Sequence, residues 1–393
     1  MDLDKVLNRR IASVPPSGIR KFFDIVQQIP DAISLGVGEP DFVTPWHIRD
    51  AAIQSIEEGR TQYTSNWGLP KLREHISRYL FTRYDVSYDP GTEILVTVGA
   101  SEGIDLAMRA LIEPGDEILI PDPSYVSYAP CVIFAGGTPV PVRTFAKHGC
   151  ALTPETLRAA ITKRTKALIL PYPNNPTGGV MSREELLEIA DCLRNTDIMV
   201  VSDEIYSELI YEDHVHTAFA SLPDMRERTI TLNGFSKAFA MTGWRVGYAC
   251  APKEILEPMF RIHQYTMLCA SMQGQVAASQ ALARAFSTQY EDVRKMVASY
   301  DRRRRLMVEG LNEMGLECFT PKGAFYVFPS IASTGMTSDE FCTKLLKEMH
   351  VACVPGTAFG ESGEGYIRCS YATGIDKVRE ALSRMDQFVH AKM

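Results

Sequence analysis

Six short apolar runs, rich in β-branched residues, recur from residue 94 onward: Ile94 to Val98, Glu117 to Pro121, Ala167 to Leu170, Ile198 to Ser202, Thr229 to Leu232 and Val246 to Ala251. Runs of this length bounded by turn residues are the mark of buried strands. Most are separated by stretches of helical spacing; in Ser182 to Arg194, Leu186, Leu187, Ile189, Ala190 and Leu193 make one apolar stripe. Such alternation specifies an α/β chain, with a mainly parallel sheet covered by helices on both faces.

The texture changes near residue 285. A long charged helix is expected over Tyr290 to Met314, then an apolar run at Phe325 to Phe328, a helix over Ser338 to Met349 and a last strand near Tyr366. This predicts a large domain over 46–285 and a smaller α+β domain over 286–393. Residues 1–45, with Pro15, Pro16, Gly18, Gly36 and Gly38, read as an arm crossing the surface and associated with the smaller domain. With 41 Lys plus Arg against 48 Asp plus Glu, the net charge is −7, which opposes nucleic-acid binding. No 18-residue apolar run and no apolar-cored leader is present, so a cytoplasmic protein outside the membrane is expected. The nine cysteines include no CxxC pair, so reduced, mostly buried thiols and no metal site are expected.

Four strand-end segments carry chemistry. Asn233 to Gly247 follows a strand and sets Lys237 eight residues before Arg245: a lysine able to form an imine, and a guanidinium able to hold a phosphate by paired bonds. Gly99-Ala100-Ser101 joins a strand to a helix and presents backbone N–H groups to an anion. Asp203 ends a buried strand, where a carboxylate faces the ligand crevice, and Tyr206 follows three residues later. Pro173 to Gly178 forms a rigid turn after another strand. Singly, each has a plain alternative: a surface lysine, an ordinary helix cap, an Asp capping a following helix, a simple turn.

Together and in this order they resemble the aspartate aminotransferase superfamily of pyridoxal-phosphate enzymes, fold type I. The carrying motifs are Asn-Pro-Thr-Gly at 175–178, Ser-Asp-Glu-Ile-Tyr at 202–206, Ser-Lys-Ala-Phe-Ala-Met-Thr-Gly-Trp-Arg at 236–245 and Tyr-Ile-Arg at 366–368. The chain is similar in particular to the alanine and diaminopimelate-type aminotransferases of Bacillus. The resemblance implies a seven-stranded, mainly parallel sheet in the large domain and pyridoxal 5'-phosphate as cofactor. It implies Lys237 as the cofactor-linked lysine, Asp203 as partner of the pyridine nitrogen, and Asn175 and Tyr206 as partners of the ring oxygen. Tyr125 matches the stacking aromatic, while Gly99, Ala100, Ser101, Ser236 and Arg245 match phosphate contacts. Arg368 matches the grip on the substrate carboxylate, with Gly38 close by and Ile19 and Phe325 near the side chain. Tyr63, in Thr61-Gln-Tyr63, matches a tyrosine lent by the neighbouring subunit, which implies a homodimer with shared sites. Without the resemblance, Tyr63 reads as a half-buried aromatic ahead of a helix starting near Leu69.

Three positions depart from the pattern. Gly234 stands where many relatives carry a hydroxyl, so Ser236 and backbone are expected to bind the phosphate. Ser101 stands where some dicarboxylate users have lysine, which weighs against aspartate. Trp67 stands near the expected site entrance, where many relatives have a small residue. The implied activity is amino transfer between an amino acid, alanine or glutamate first, and a 2-oxo acid by ping-pong chemistry. Aspartate, aromatic or N-acyl-diaminopimelate transfer, a β-lyase using the same lysine and aspartate, and a non-catalytic binding module are the alternatives.

Overall fold

The structure, a computed structural model, describes residues 6–16, 18, 29 and 31–392. The apolar runs form β2 (Ile94–Thr97), β3 (Glu117–Asp122), β5 (Thr165–Leu170), β6 (Met199–Asp203), β7 (Thr229–Gly234) and β8 (Gly247–Cys250). With β4 (Thr138–Arg143) they make a seven-stranded sheet in the order β2-β8-β7-β6-β5-β3-β4. Only β8 runs against its neighbours, pairing antiparallel with both β2 and β7. The strand absent from the sequence reading, β4, carries Pro139 and Pro141 and pairs only with β3. A proline lacks the ladder donor and so survives on an edge strand, whose mixed exposure hides it from a search for buried runs.

Period-two alternation sends neighbouring strand residues to opposite faces. Ile118, Ile169, Val201 and Ile230 pack beneath the helices Ala100–Leu111 and Lys253–Thr266. Leu119, Leu168 and Val200 pack on the other face against the helix Arg183–Leu193. That helix starts where expected because Ser182 and Glu185 form a reciprocal capping box, a device that contributes about 1 kcal/mol.

The C-terminal third folds around β9 (Tyr326–Val327), β11 (Val354–Pro355) and β12 (Ile367–Ser370), an antiparallel sheet in the order β11-β12-β9. Helices Glu291–Glu313, Ser338–Met349 and Ile375–Lys392 accompany it, the first two within a residue of expectation. The N-terminal segment is more than a surface arm. β1 (Ile33–Ser34) pairs in parallel with β10 (Val351–Ala352), and Leu35 beyond it is fully buried in the C-terminal core. Burying that leucine contributes roughly 2 kcal/mol and holds Gly36 and Gly38 beside β12.

Candidate active site

The carboxyl ends of β2, β3, β5, β6 and β7 open on one cavity of about 640 Å³. Gly38, Ala100, Ser101, Tyr125, Asn175 and Asp203 line it, as do Tyr206, Ser236, Lys237, Arg245 and Arg368. Parallel strands bring the residues from 100 to 245 to one edge, and the N-terminal segment and β12, packed side by side, add Gly38 and Arg368, 330 positions apart.

Lys237 sits in the turn after β7, and its Nζ donates to the Gly38 carbonyl at 2.6 Å. Burial lowers its pKa to about 8, opposed by the Glu39 carboxylate and reinforced by Arg368 and Arg245. Such an amine is partly neutral near pH 7, which a solvent-exposed lysine is not. Asp203, at the end of β6, is pushed the other way by burial, up to about 6. Two donors hold that rise in check: the Tyr128 hydroxyl at 2.8 Å from Oδ2 and the Ile205 N–H at 3.2 Å from Oδ1. Turns rather than a helix follow Asp203, so it caps no helix.

Arg368, in β12, is 2% exposed. Its Nη1 donates to Asn175 Oδ1 at 2.9 Å and its Nη2 to the Gly36 carbonyl at 2.5 Å, while Nε has no partner. Tyr326 and Phe359 rings flank the guanidinium at 4.5 and 4.8 Å. Every one of these partners is neutral. A buried cation without a counter-charge costs several kcal/mol, a cost that an anionic ligand removes.

At the other end of the cavity, Gly99 is the N-cap of the helix Ala100–Leu111 at φ +77°. That φ favours glycine, and the missing Cβ, which would lie 2.6 Å from Arg245 Nη2, leaves the guanidinium its place beside the helix N-terminus. With no side chain at the cap, the first N–H groups stay available to an anion. Gly234 stands where the backbone is close: a Cβ would meet Gly247 Cα and Val246 O, each at 3.0 Å, so a larger residue would need both to shift.

Three expected residues stand outside the lining, and a fourth lies outside the described residues. Gly99 backs the lining. Phe325 is fully buried beneath, with its ring against Tyr206, and β9 turns Tyr326 to the cavity instead. Tyr63 is 80% exposed, and Ile19 lies outside the described residues. Trp67 stacks on Phe260 at 4.0 Å and does not line the cavity, so it narrows no entrance within the chain. The sequence reading missed Tyr128 and Tyr326. Tyr326 shares a 2.8 Å hydrogen bond with the Tyr206 hydroxyl, and alternation along Phe325 to Phe328 was the available signal. Tyr128 bonds Asp203 from the first turn after Tyr125, and only the fold relates those two.

Comparison with known proteins decides the family: the model of aminotransferase class I and II matches residues 30–385. The chain belongs to the class I and II aminotransferases. The enzyme is 53% identical to the protein YugH of Bacillus subtilis (strain 168), with 98% of each chain covered. It is 48% identical to an aspartate aminotransferase of Pyrococcus abyssi, over 98% of this chain and 99% of that one. The crystal structure of an aromatic aminotransferase from Pyrococcus horikoshii superposes with a TM-score of 0.90 at 46% identity, covering 94% of this chain and 99% of the other. This aminotransferase is thus a pyridoxal-phosphate enzyme of fold type I. Its cavity fits the cofactor: a lysine whose pKa is lowered to about 8 by burial, a buried carboxylate, and a glycine-capped helix N-terminus with an arginine beside it. No described helix is long and apolar enough to cross a membrane.

Proposed function

We propose that the enzyme moves an amino group between an L-amino acid and a 2-oxo acid through Lys237, with alanine or glutamate as donor and pyruvate or 2-oxoglutarate as acceptor. The observation that carries this reading is the buried, charge-unpaired Arg368 in the same cavity as Lys237 and Asp203. Its free Nε and in-plane nitrogens suit an α-carboxylate, which both amino and oxo acids carry. Gly38 lies between Arg368 and Lys237, which suits a substrate whose Cα stands near both.

The bound cofactor supplies the electron sink. Lys237 would hold it through its amine, and that amine, when free, would take the α-proton, a task suited to a base of pKa about 8. Asp203 is ionised near neutral pH and pairs with the ring nitrogen, held in line by Tyr128. Asn175 and Tyr206 serve the ring oxygen, and Tyr125 stacks on the ring. Ala100, Ser101, Ser236 and Arg245 take the phosphate at the helix N-terminus that Gly99 opens. Among the described lining residues the cations are Lys237, Arg245 and Arg368, each assigned above. None is left for a side-chain carboxylate, which favours alanine over glutamate and weighs against aspartate. Tyr326, rather than Phe325, meets the substrate.

The active form in this proposal is a homodimer in which Tyr63 completes the partner's site. Tyr63 and Tyr265 stand 80% and 86% exposed, and Val43, Trp46 and Met267 are exposed too. Gln273 and Gln275 bond the Arg60 carbonyl and the Thr64 hydroxyl, so Tyr63 lies near the start of the helix Met272–Thr288, beyond Met267. Apolar surface gathered this way marks a protein interface. Residues 46–285 then form the cofactor-holding domain and 286–393 the smaller one, to which residues 33–35 are joined, whereas the helix Arg9–Ala12 packs on the helix Tyr128–Ala135 of the larger domain.

A panel of amino donors and oxo acids, read as half-reaction absorbance changes, tests the reading. Oxo-acid production from alanine, reversed by pyruvate, is expected. Release of pyruvate and thiol from cysteine conjugates without an acceptor would instead make the enzyme a β-lyase.

A further inference from the structure

Behind the Gly99–Ser101 turn lies a buried acid–base pair that the chemistry above does not use. Glu102 stands at the third position of the helix Ala100–Leu111, 9% exposed. Its Oε2 accepts the Val98 N–H at 2.5 Å, and its Oε1 lies 2.6 Å from Nδ1 of His263, on the helix Lys253–Thr266. His263 is fully buried, and its Nε2 has no partner. In a capping box a glutamate at this position turns back to the N-cap N–H while the cap side chain claims the N–H in front. Here the cap is glycine, and the carboxylate reaches one residue further back, to Val98. The loop is thus tied from behind while its front donors stay open to the cavity. A glycine-hinged turn without that tie has more conformations to lose on binding an anion.

We propose that Glu102 and His263 are positioning residues for the phosphate end of the cofactor: the pair holds Val98–Glu102 in the conformation that aims the helix N-terminus at the phosphate. His263 fixes the carboxylate's rotamer and anchors the turn to a second helix. Glu102 and His263 touch no reacting atom, and their effect passes through the backbone of Ala100 and Ser101. The inference rests on the assignment of that turn to the phosphate.

Apoenzyme carrying Glu102→Ala, Glu102→Gln, His263→Leu or His263→Gln is titrated with pyridoxal phosphate and, separately, with pyridoxal, which lacks the phosphate. Intrinsic fluorescence reads binding, and phosphorus-31 resonance reads the bound phosphate. Glu102→Ala and His263→Leu should weaken pyridoxal phosphate roughly ten-fold or more while changing pyridoxal by about two-fold at most, and should shift or broaden the phosphorus signal. Glu102→Gln keeps an acceptor for Val98 and should recover most of the affinity. Should the Ala or Leu variant fail to fold, the two Gln variants decide by the same ratio, His263→Gln being the weaker binder of phosphate. Equal losses for both ligands, or unchanged phosphate affinity in folded variants, overturn the proposal. If the wild type itself binds the two ligands equally, the phosphate-site assignment fails rather than the pair.

Discussion

The Tyr128 hydroxyl donates to Asp203 Oδ2 across 2.8 Å, in a site where burial alone would keep that carboxyl protonated further into the neutral range. Two opposing forces thus bring Asp203 to about 6, low enough to be an anion when the enzyme works.

Asp203→Asn follows from this balance. Because the folded carboxyl sits at about 6 against 3.8 for the unfolded chain, the folded apoenzyme holds the extra proton between those values. Its stability therefore falls as pH rises from about 4 to 6, and the whole penalty, at most about 3 kcal/mol, stands above 6. The Asn variant of the apoenzyme should melt higher than wild type at pH 7.5 and lose that advantage below about pH 4. Its half-reaction rate should drop on the order of 100-fold, with cofactor still bound. Turnover within a few-fold of wild type would remove Asp203 from the chemistry.

Lys237→Ala should abolish borohydride-stable cofactor attachment, since no other lysine lines the cavity among the described residues. Peptide mapping of reduced wild type locates the label. Attachment at Lys253 or Lys322 would overturn the assignment. In the apoenzyme, the amine's reactivity toward small aldehydes should rise with pH through a midpoint near 8 rather than near 10.5.

Replacing Arg368 by lysine exchanges a fork for a point charge. Both half-reactions should lose on the order of 100-fold in kcat/KM, because one ammonium cannot keep the bonds to Asn175 and Gly36 while gripping a carboxylate. Amines lacking a carboxylate should be far less affected. Equal losses for both kinds of substrate would make Arg368 structural.

Mixing tests the shared site. Lys237→Ala chains refolded with Tyr63→Phe chains form hybrids in which one site draws an intact Lys237 from one chain and an intact Tyr63 from the other. Activity should rise above that of either impaired homodimer. If both residues serve their own chain's site, every hybrid site keeps a defect and mixing restores nothing.

Local signals carried a large part of this protein. Six buried strands, the helix capped by Ser182 and the turns at Gly99, Asn175, Asp203 and Lys237 were all legible, because burial and capping write themselves into runs, periods and turn residues. Motifs in the sequence also pointed to many of the residues that line the cavity, though not to Tyr128 or Tyr326. What it did not contain were relations between residues whose meeting depends on how strands and helices pack. β4 went unseen because its partner satisfies an edge that local pattern does not describe. Phe325 was preferred to Tyr326, although which side of β9 faces the cavity depends on β12 beside it. The bond from Tyr128 to Asp203, the neutral surroundings of Arg368 and the pairing of Glu102 with His263 span 75 to 332 residues, and none leaves a local trace. Burial, and with it the pKa of Lys237 and Asp203, is a property of everything packed around a side chain, so the tertiary structure alone decided which of the named residues are chemically poised.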